Sequence, residues 1–309
     1  MKAIMYHYVR PFDSSLPYLK SLHLDDFRKQ LDYFEAEYGF VDYAQFIQSI
    51  YTGLSPDGVV LTFDDGLSCH YEYVYKELKS RGLWGVFYIS AKPFTDRCML
   101  DVHRTHILLG RHRPEVVYDF LMSNITDCMI DKGKLNEFDL IVYGRQENDD
   151  KTLRIKKMMN YFVAYEYRNE LLNKLMAQFV PDENMLAEQY YLNREQIKEM
   201  RDNGMLIGSH TITHPVMSRL SVSEQAEEIT GSFGFLETVL SELPCRTFCY
   251  PYGGFHSFTS ETEQLLDDAG CLFSFNVEQR DISGSDLKKR PQALPRYDCN
   301  QFPYGQIRV

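Results

Sequence analysis

Two adjacent carboxylates, Asp64 and Asp65, follow a short apolar run and precede a glycine in Thr62-Phe63-Asp64-Asp65-Gly66. A second apolar run, Met205-Leu206-Ile207, leads into His210-Thr211-Ile212-Thr213-His214-Pro215, with two imidazoles four residues apart. One carboxylate and two imidazoles make a three-ligand set with open positions, the catalytic arrangement for zinc. Neighbouring side chains of a strand point to opposite faces. Both carboxylates therefore reach one centre only if the chain leaves the strand there, which Gly66 permits. In an extended chain the histidines would stand roughly 13 Å apart, too far to share an ion at about 2 Å from each nitrogen. One helical turn would bring them onto one face.

The elements that must carry these residues read as alternating strands and helices. Residues 2–9 predict a strand, His23 to Tyr38 a helix stopped by Gly39, Phe40-Val41 a short strand, and Tyr43 to Tyr51 a helix. Val59-Val60-Leu61 predicts the buried strand that ends on the aspartates. Tyr71 to Arg81 predicts a helix and Trp84 to Ser90 an apolar strand. This alternation points to βα units around a parallel sheet. It stops between 97 and 190, where apolar residues recur at helical spacing, as in Val116, Val117, Phe120 and Leu121 or Leu171, Leu172, Leu175 and Met176. Within it, Asp149 to Arg154 reads as the solvent-facing start of a helix. The rhythm returns with a helix at Glu195 to Asn203, the histidine strand, and a helix at Ser221 to Leu240. That helix opens on a Ser-x-x-Glu box, at either Ser221–Glu224 or Ser223–Glu227. Strands at Arg246 to Tyr250, Cys271 to Val277 and Leu294 to Tyr297, with a helix at Ser257 to Ala269, complete the chain.

The 309 residues suffice for one α/β barrel. A net charge of −11 argues against nucleic acid or an anionic membrane as partner. The cysteine count is odd, at seven, with no Cys-x-x-Cys, which fits reduced thiols. After Met1-Lys2 only Ala3-Ile4-Met5 is continuously aliphatic. A secretory core needs roughly 7–15 apolar residues and a membrane span roughly 20. The expectation is a cytoplasmic protein with no transmembrane segment.

Asp-Asp-Gly followed by His-x-x-x-His resembles the polysaccharide deacetylases, the NodB-homology hydrolases of carbohydrate esterase family four. Phe248-Cys249-Tyr250-Pro251-Tyr252-Gly253-Gly254 is similar to that family's third motif, and Met5-Tyr6-His7-Tyr8-Val9 to the opening strand of one branch of it. The resemblance implies that Asp65, His210 and His214 hold a divalent ion. Zinc is the first assignment, and cobalt, nickel or iron suit similar donors. It implies that Asp64 is the general base and that the Tyr252 backbone N–H stabilises the oxyanion. Tyr250, Pro251, Gly253 and His256 are the expected substrate contacts.

Two departures stand out. The family usually has an arginine, which holds the base aspartate, where this chain has Cys249. Arg296 is the candidate substitute and Arg246 a weaker one. The family's late Leu-x-His, which protonates the leaving amine, has no counterpart, because no histidine follows His256. His7 is the first candidate for that acid, then His256, then His70. His103, His106 and His112 with Arg104, Arg111 and Arg113 form a basic cluster that reads as a solvated face, or else as a contact for a substrate's negative group such as a nucleotide diphosphate.

The expected fold is a distorted (β/α) barrel of the NodB-homology type, one domain over 1–309, with a mostly helical insertion at about 97–190 over the C-terminal rim. The expected function is metal-dependent removal of an N-acetyl group from an amino sugar. Its substrate would be a cytoplasmic precursor of a surface polysaccharide such as O-antigen, nucleotide- or lipid-linked. The alternatives are an amidase of the same fold acting on a small non-sugar amide, and a carbohydrate-binding protein with a degenerate site.

Overall fold

Seven short parallel strands form the core of the computed structural model, which describes residues 1–133 and 149–308. They are β1 (Lys2–Tyr6), β2 (Val59–Phe63), β3 (Val86–Ile89), β4 (Leu206–Ser209), β5 (Thr247–Cys249), β6 (Phe273–Phe275) and β7 (Tyr297–Asp298). Their order across the sheet is β6-β5-β4-β3-β2-β1-β7. Nearly every residue of β1 to β6 is buried, as expected of parallel strands covered on both faces.

Alternation along the strands separates two apolar layers. Ile4, Tyr6, Leu61, Phe63, Phe87, Ile89 and Ile207 pack with Phe27, Leu31 and Phe34 of the helix Leu24–Glu37. Ala3, Val60, Val86, Tyr88, Leu206, Cys249, Phe273 and Phe275 face the other way, with Phe46 and Ile50 of the helix Tyr43–Thr52.

The last strand segment joins the two edges of the sheet. Leu294 pairs in parallel with Phe275 of β6, and Tyr297 pairs with Ile4 of β1. Residues 294–298 thus cross from one edge strand to the other, and Arg296 lies at that seam. The expected strand at 294–297 is present only as this bridge and the two residues of β7, because the chain serves two partners in turn.

Other expected elements shift at their ends. β1 stops at Tyr6 rather than residue 9, where the His7 carbonyl turns to the His70 Nε2 at 2.7 Å. Phe40 makes a single bridge to Val59 instead of a strand. The helix expected at 71–81 begins as a π-helix, His70–Tyr75, and becomes α-helical only at Lys76–Ser80. The long helix spans Val222–Leu240, with Ser221 and Glu224 as its capping box.

The chain groups into two compact units. One contains 1–11, 21–97 and 188–308, hence every strand. The other contains 12–20 and 98–187. Its described part is built from helices, among them Asp101–Arg111, Pro114–Asn124, Asp150–Lys157 and Tyr165–Phe179. Residues 134–148, inside the expected insertion, lie outside the described residues. Val117, Leu121, Leu171, Leu172, Leu175 and Met176 are buried as the helical spacing predicts, whereas Val116 is exposed. Asp149 caps the helix Asp150–Lys157 through Thr152 N–H. No helix among the described residues is long and apolar enough to cross a membrane.

Gln30 ties the first helix to the C-terminal segment. Its Oε1 accepts from the Tyr6 hydroxyl at 2.6 Å, and its Nε2 donates to the carbonyls of Cys299 and Pro303 at 3.0 Å. Gln30→Ala leaves these groups without partners, and one unsatisfied buried group costs about 1–3 kcal/mol. Urea denaturation should report a loss of at least that size. An unchanged midpoint would show that the amide is not needed to anchor the closing segment.

Candidate active site

The two aspartates are separated by one backbone torsion. Asp64 N–H still bonds the Tyr6 carbonyl at 3.0 Å, so Asp64 keeps the register of β2 and shares the face of Thr62. Asp65 then takes φ +83° and Gly66 φ +64°. The chain therefore leaves the strand at the second aspartate itself, one residue before the glycine that was expected to permit it. Both carboxylates are buried, in different company.

Asp64 faces Arg296. The guanidinium donates to its Oδ1 and Oδ2 at 2.8 Å each. It also donates to Thr62 Oγ1 at 2.9 Å, to Cys249 Sγ at 2.8 Å and to the Asn276 carbonyl at 3.2 Å. Burial alone would raise the Asp64 pKa, but the Arg296 charge and its hydrogen bonds override it and bring it down to about 2. Asp64 is thus a carboxylate at any ordinary pH. Arg246 lies elsewhere, donating to Glu237 and to the Ala269 carbonyl.

Asp65 faces the imidazoles. Its Oδ1 stands 3.4 Å from His210 Nε2 and 3.4 Å from His214 Nε2. The donor atoms of the three residues lie within 4.8 Å of one another. Ligands bound at about 2.1 Å in a tetrahedron stand roughly 3.4 Å apart, so the spacing and the one-oxygen, two-nitrogen set both fit zinc or a similar divalent ion. The other imidazole nitrogen of His210, Nδ1, donates to the Cys249 carbonyl at 2.7 Å, which fixes the tautomer and leaves Nε2 as the ligand atom. Burial opposes a charge on His210, yet Cys249, Asp65 and Asp64 together raise its pKa well above the usual value. The cluster favours a positive charge at its centre.

No helical turn joins the histidines. β4 ends at Ser209, and Thr211 and His214 adopt φ +69° and +60°. Two left-handed residues fold the segment back on itself, which a helix starting at His210 would not do. Thr211 Oγ1 accepts from His214 N–H at 2.9 Å inside this turn.

The third motif follows β5. Tyr252 takes φ +65° and its ring stands 5.0 Å from the His214 ring. Gly253 has φ +71°, and a Cβ there would lie 2.3 Å from Val277 Cγ2, so only glycine fits. Pro251 is buried. Tyr250 does not face the site: it stacks on Phe258 at 3.8 Å and donates to the Gln292 carbonyl. It points into the core because it is one residue past Cys249, on the opposite face of the strand. His256 is half-buried, with its pKa lowered by burial, and its carbonyl accepts from Ser218 Oγ.

His7 is half-buried at the C-terminal end of β1, close enough to Asp64 for its charge to help depress that carboxyl's pKa. His70 is fully buried between Phe63 and Phe87, its Nε2 on the His7 carbonyl. Burial lowers its pKa to about 4, which favours the neutral imidazole. The basic cluster of the second unit is internally paired. Arg104 binds Glu183, Arg111 binds Asp182 through both nitrogens, and His112 meets the Phe179 carbonyl. The ring of His103 is buried 5.9 Å from that of His106, and Arg113 is exposed.

Sequence reasoning does not reach three residues near the aspartates and histidines. Tyr190 donates to the Tyr8 hydroxyl at 2.7 Å, and burial raises the pKa of both phenols, with a smaller contribution from Asp65. Glu228 binds the histidine turn. Nothing local marks any of them. Tyr8 and Tyr190 are two among 22 tyrosines, and Glu228 follows another glutamate on an acidic helix.

Arg296→Met should expose what the pair does for Asp64. With its pKa lowered, Asp64 stabilises the native fold above about pH 4, and that contribution is lost as pH falls through about 2. Without the guanidinium, burial is opposed only by the His210 and His7 charges, so the pKa rises and the penalty grows as pH rises. We expect the variant to be destabilised by about 3–5 kcal/mol at pH 7 and by less at pH 4, measured by urea denaturation with chelator present. Equal losses at both pH values would detach the effect from the Asp64 charge.

A sequence model of the family described as polysaccharide deacetylase matches residues 172–273, which include both histidines and the Pro-Tyr-Gly turn but not the aspartates. A search of curated proteins found no match. Among solved structures the chain is similar to the deacetylase PplD of Streptococcus pyogenes in complex with acetate, at 16% identity and a TM-score of 0.58, covering 96% of this chain and 91% of that one. It is also similar to IcaB from Ammonifex degensii (19% identity, TM-score 0.54, 96% and 90% covered). A third likeness is to a de-N-acetylase from Aggregatibacter actinomycetemcomitans (13%, 0.53, 96% and 93%). At these identities the structural likeness is one of fold. The family match covers the histidine and Pro-Tyr-Gly segments, less than half of the chain, and the fold is one that this chain shares with solved polysaccharide deacetylases.

Proposed function

We propose that the chain is a metal-dependent hydrolase that removes an N-acetyl group from an amino sugar. The observation that carries this reading is the pairing of two sites on adjacent residues: an Asp65–His210–His214 donor set of zinc dimensions beside an Asp64 carboxylate kept ionised by Arg296. The structural likeness to a de-N-acetylase and to a deacetylase in complex with acetate supports an acetamide as the group cut.

When bound, a divalent ion supplies Lewis-acid polarisation and acidifies water. Zinc is the assignment, with cobalt, nickel and iron as ions that the same donors accept. Asp64 takes the proton of the attacking water. Arg296 holds that carboxylate in place and tempers its basicity. The Tyr252 N–H, turned by its left-handed backbone, donates to the oxygen on which charge develops. Gly253 allows that turn to pack close, and Pro251 shapes it. His7 delivers the proton that the departing nitrogen needs, since an amide anion is too poor a leaving group. His70 keeps His7 in position through its carbonyl. The seven thiols, none in a disulfide, support a reducing compartment and so a nucleotide- or lipid-linked precursor of a surface polysaccharide as substrate.

Acetate release from a panel of N-acetylated sugars, free and nucleotide-linked, tests the reaction. Release should depend on about one divalent ion per chain. His214→Ala should lose most of that ion, because two remaining ligands bind weakly. Asp64→Asn should keep it and lose roughly two to four decades in rate, the usual range for a positioned base. Sugar binding without acetate release by the metal-loaded protein would leave a binding protein instead.

The acid assignment has its own test. His7→Ala should retain metal and fold, lose most of kcat, and lose the alkaline limb of the pH–rate profile in the activity that remains. Normal turnover by this variant, with a loss in His256→Ala, would move the acid to the loop after the third motif.

A further inference from the structure

The turn that carries the second histidine is held from outside. Thr211 and His214 both occupy the left-handed region, which side-chain-bearing residues avoid, so the surrounding structure must over-determine them. Between them, Ile212 N–H and Thr213 N–H donate to Glu228 Oε2 at 2.6 and 2.9 Å, and the Thr213 hydroxyl donates to Glu228 Oε1 at 2.6 Å. One carboxylate thus takes three donors from two consecutive residues.

Glu228 belongs to the helix Val222–Leu240, and its neighbours one turn on reinforce the contact. Gly231 leaves room for Ile212, because a Cβ there would lie 2.5 Å from Ile212 Cδ1. Ser232 Oγ meets Ser209 Oγ at 2.5 Å, at the end of β4. Residues at i, i+3 and i+4 share one side of a helix. That side grips the chain just before His210 and again between the two histidines.

We propose that Glu228 is a positioning residue for His214: its carboxylate sets the backbone of the turn so that His214 Nε2 reaches Asp65 and His210. This rests on the metal-site reading above. The same clamp explains why four residues suffice to bring two imidazoles together without a helix.

The test is titration of the full-length protein with Co2+, read by its absorption, beside the melting temperature of the metal-free protein. Groups that orient metal ligands typically change affinity by 10–100-fold when removed, and Glu228→Ala should fall in that range. Glu228→Gln keeps an oxygen for the two N–H groups and should recover most of the affinity. Glu227→Ala removes an equal charge one residue away, from an exposed position, and should bind as wild type does. If Glu228→Ala does not fold, Glu228→Asp, one methylene short of the turn, replaces it. Wild-type affinity in the Glu228 variant, even with a lowered melting temperature, would reduce Glu228 to a helix-docking contact. Equal weakening by Glu227→Ala would replace positioning by a general charge effect. A wild type that takes up no Co2+ would instead overturn the metal-site reading itself, and this proposal with it.

Discussion

The buried ion pair of Arg296 and Asp64 is the contact on which both the barrel and the site depend. Two opposite charges without solvent are costly unless every remaining donor and acceptor is satisfied. Here the account closes. A guanidinium has five N–H donors, and Arg296 spends two on Asp64 and one each on Thr62, Cys249 and the Asn276 carbonyl. Phe275 and Tyr88 lie on its flanks at 5.6 and 6.0 Å. Because Arg296 sits where residues 294–298 pass from β6 to β1, the pair couples closure of the sheet to the charge state of Asp64. The carboxylate cannot be moved without disturbing the seam.

Left-handed backbone gathers around the same place. Of the seven non-glycine residues with positive φ among the described residues, four are Asp65, Thr211, His214 and Tyr252. Each such residue costs of order 1–3 kcal/mol, and regular strands could not replace them. A strand sends neighbouring side chains to opposite faces, so Asp64 and Asp65 reach one site only because the backbone inverts between them. The same inversion lets His214 return toward His210 and turns the Tyr252 N–H at the end of β5. Strain here is a consequence of drawing several groups from consecutive residues into one small volume.

That pattern also explains what could be read in the chain and what could not. The aspartate and histidine segments were legible because their chemistry is local: each follows an apolar run, and strand ends are where parallel sheets present reactive groups. Arg296 was legible as a candidate only because the family's arginine is replaced by Cys249, which left the base aspartate in need of another guanidinium. The route by which His214 meets His210 was not legible, since it is set by Glu228, which lies 14 residues further along the chain. The length of β7 was hidden for a similar reason, because a segment that pairs first with β6 and then with β1 never builds a long ladder with either. Tyr250 was misjudged by treating a motif as a unit, when alternation sends Cys249 inward and Tyr250 into the layer with Phe258.

The exchange of Cys249 and Arg296 has a steric logic. The two side chains are in contact, with Arg296 Nη2 2.8 Å from Cys249 Sγ, and the thiol lies 3.4 Å from Asp64 Oδ2. A guanidinium rooted at 249 would claim the same donor directions toward Asp64 that Arg296 now fills, and the fully buried pocket cannot hold two cations beside one carboxylate. Position 249 must therefore be small when the arginine arrives from the closing strand. Cysteine meets that need while adding a weak donor toward Asp64. The same backbone position offers its carbonyl to His210 Nδ1, a contact that does not depend on the side chain. The residue at 249 can thus change without disturbing the orientation of the first histidine, provided that one guanidinium, from either strand, still reaches Asp64.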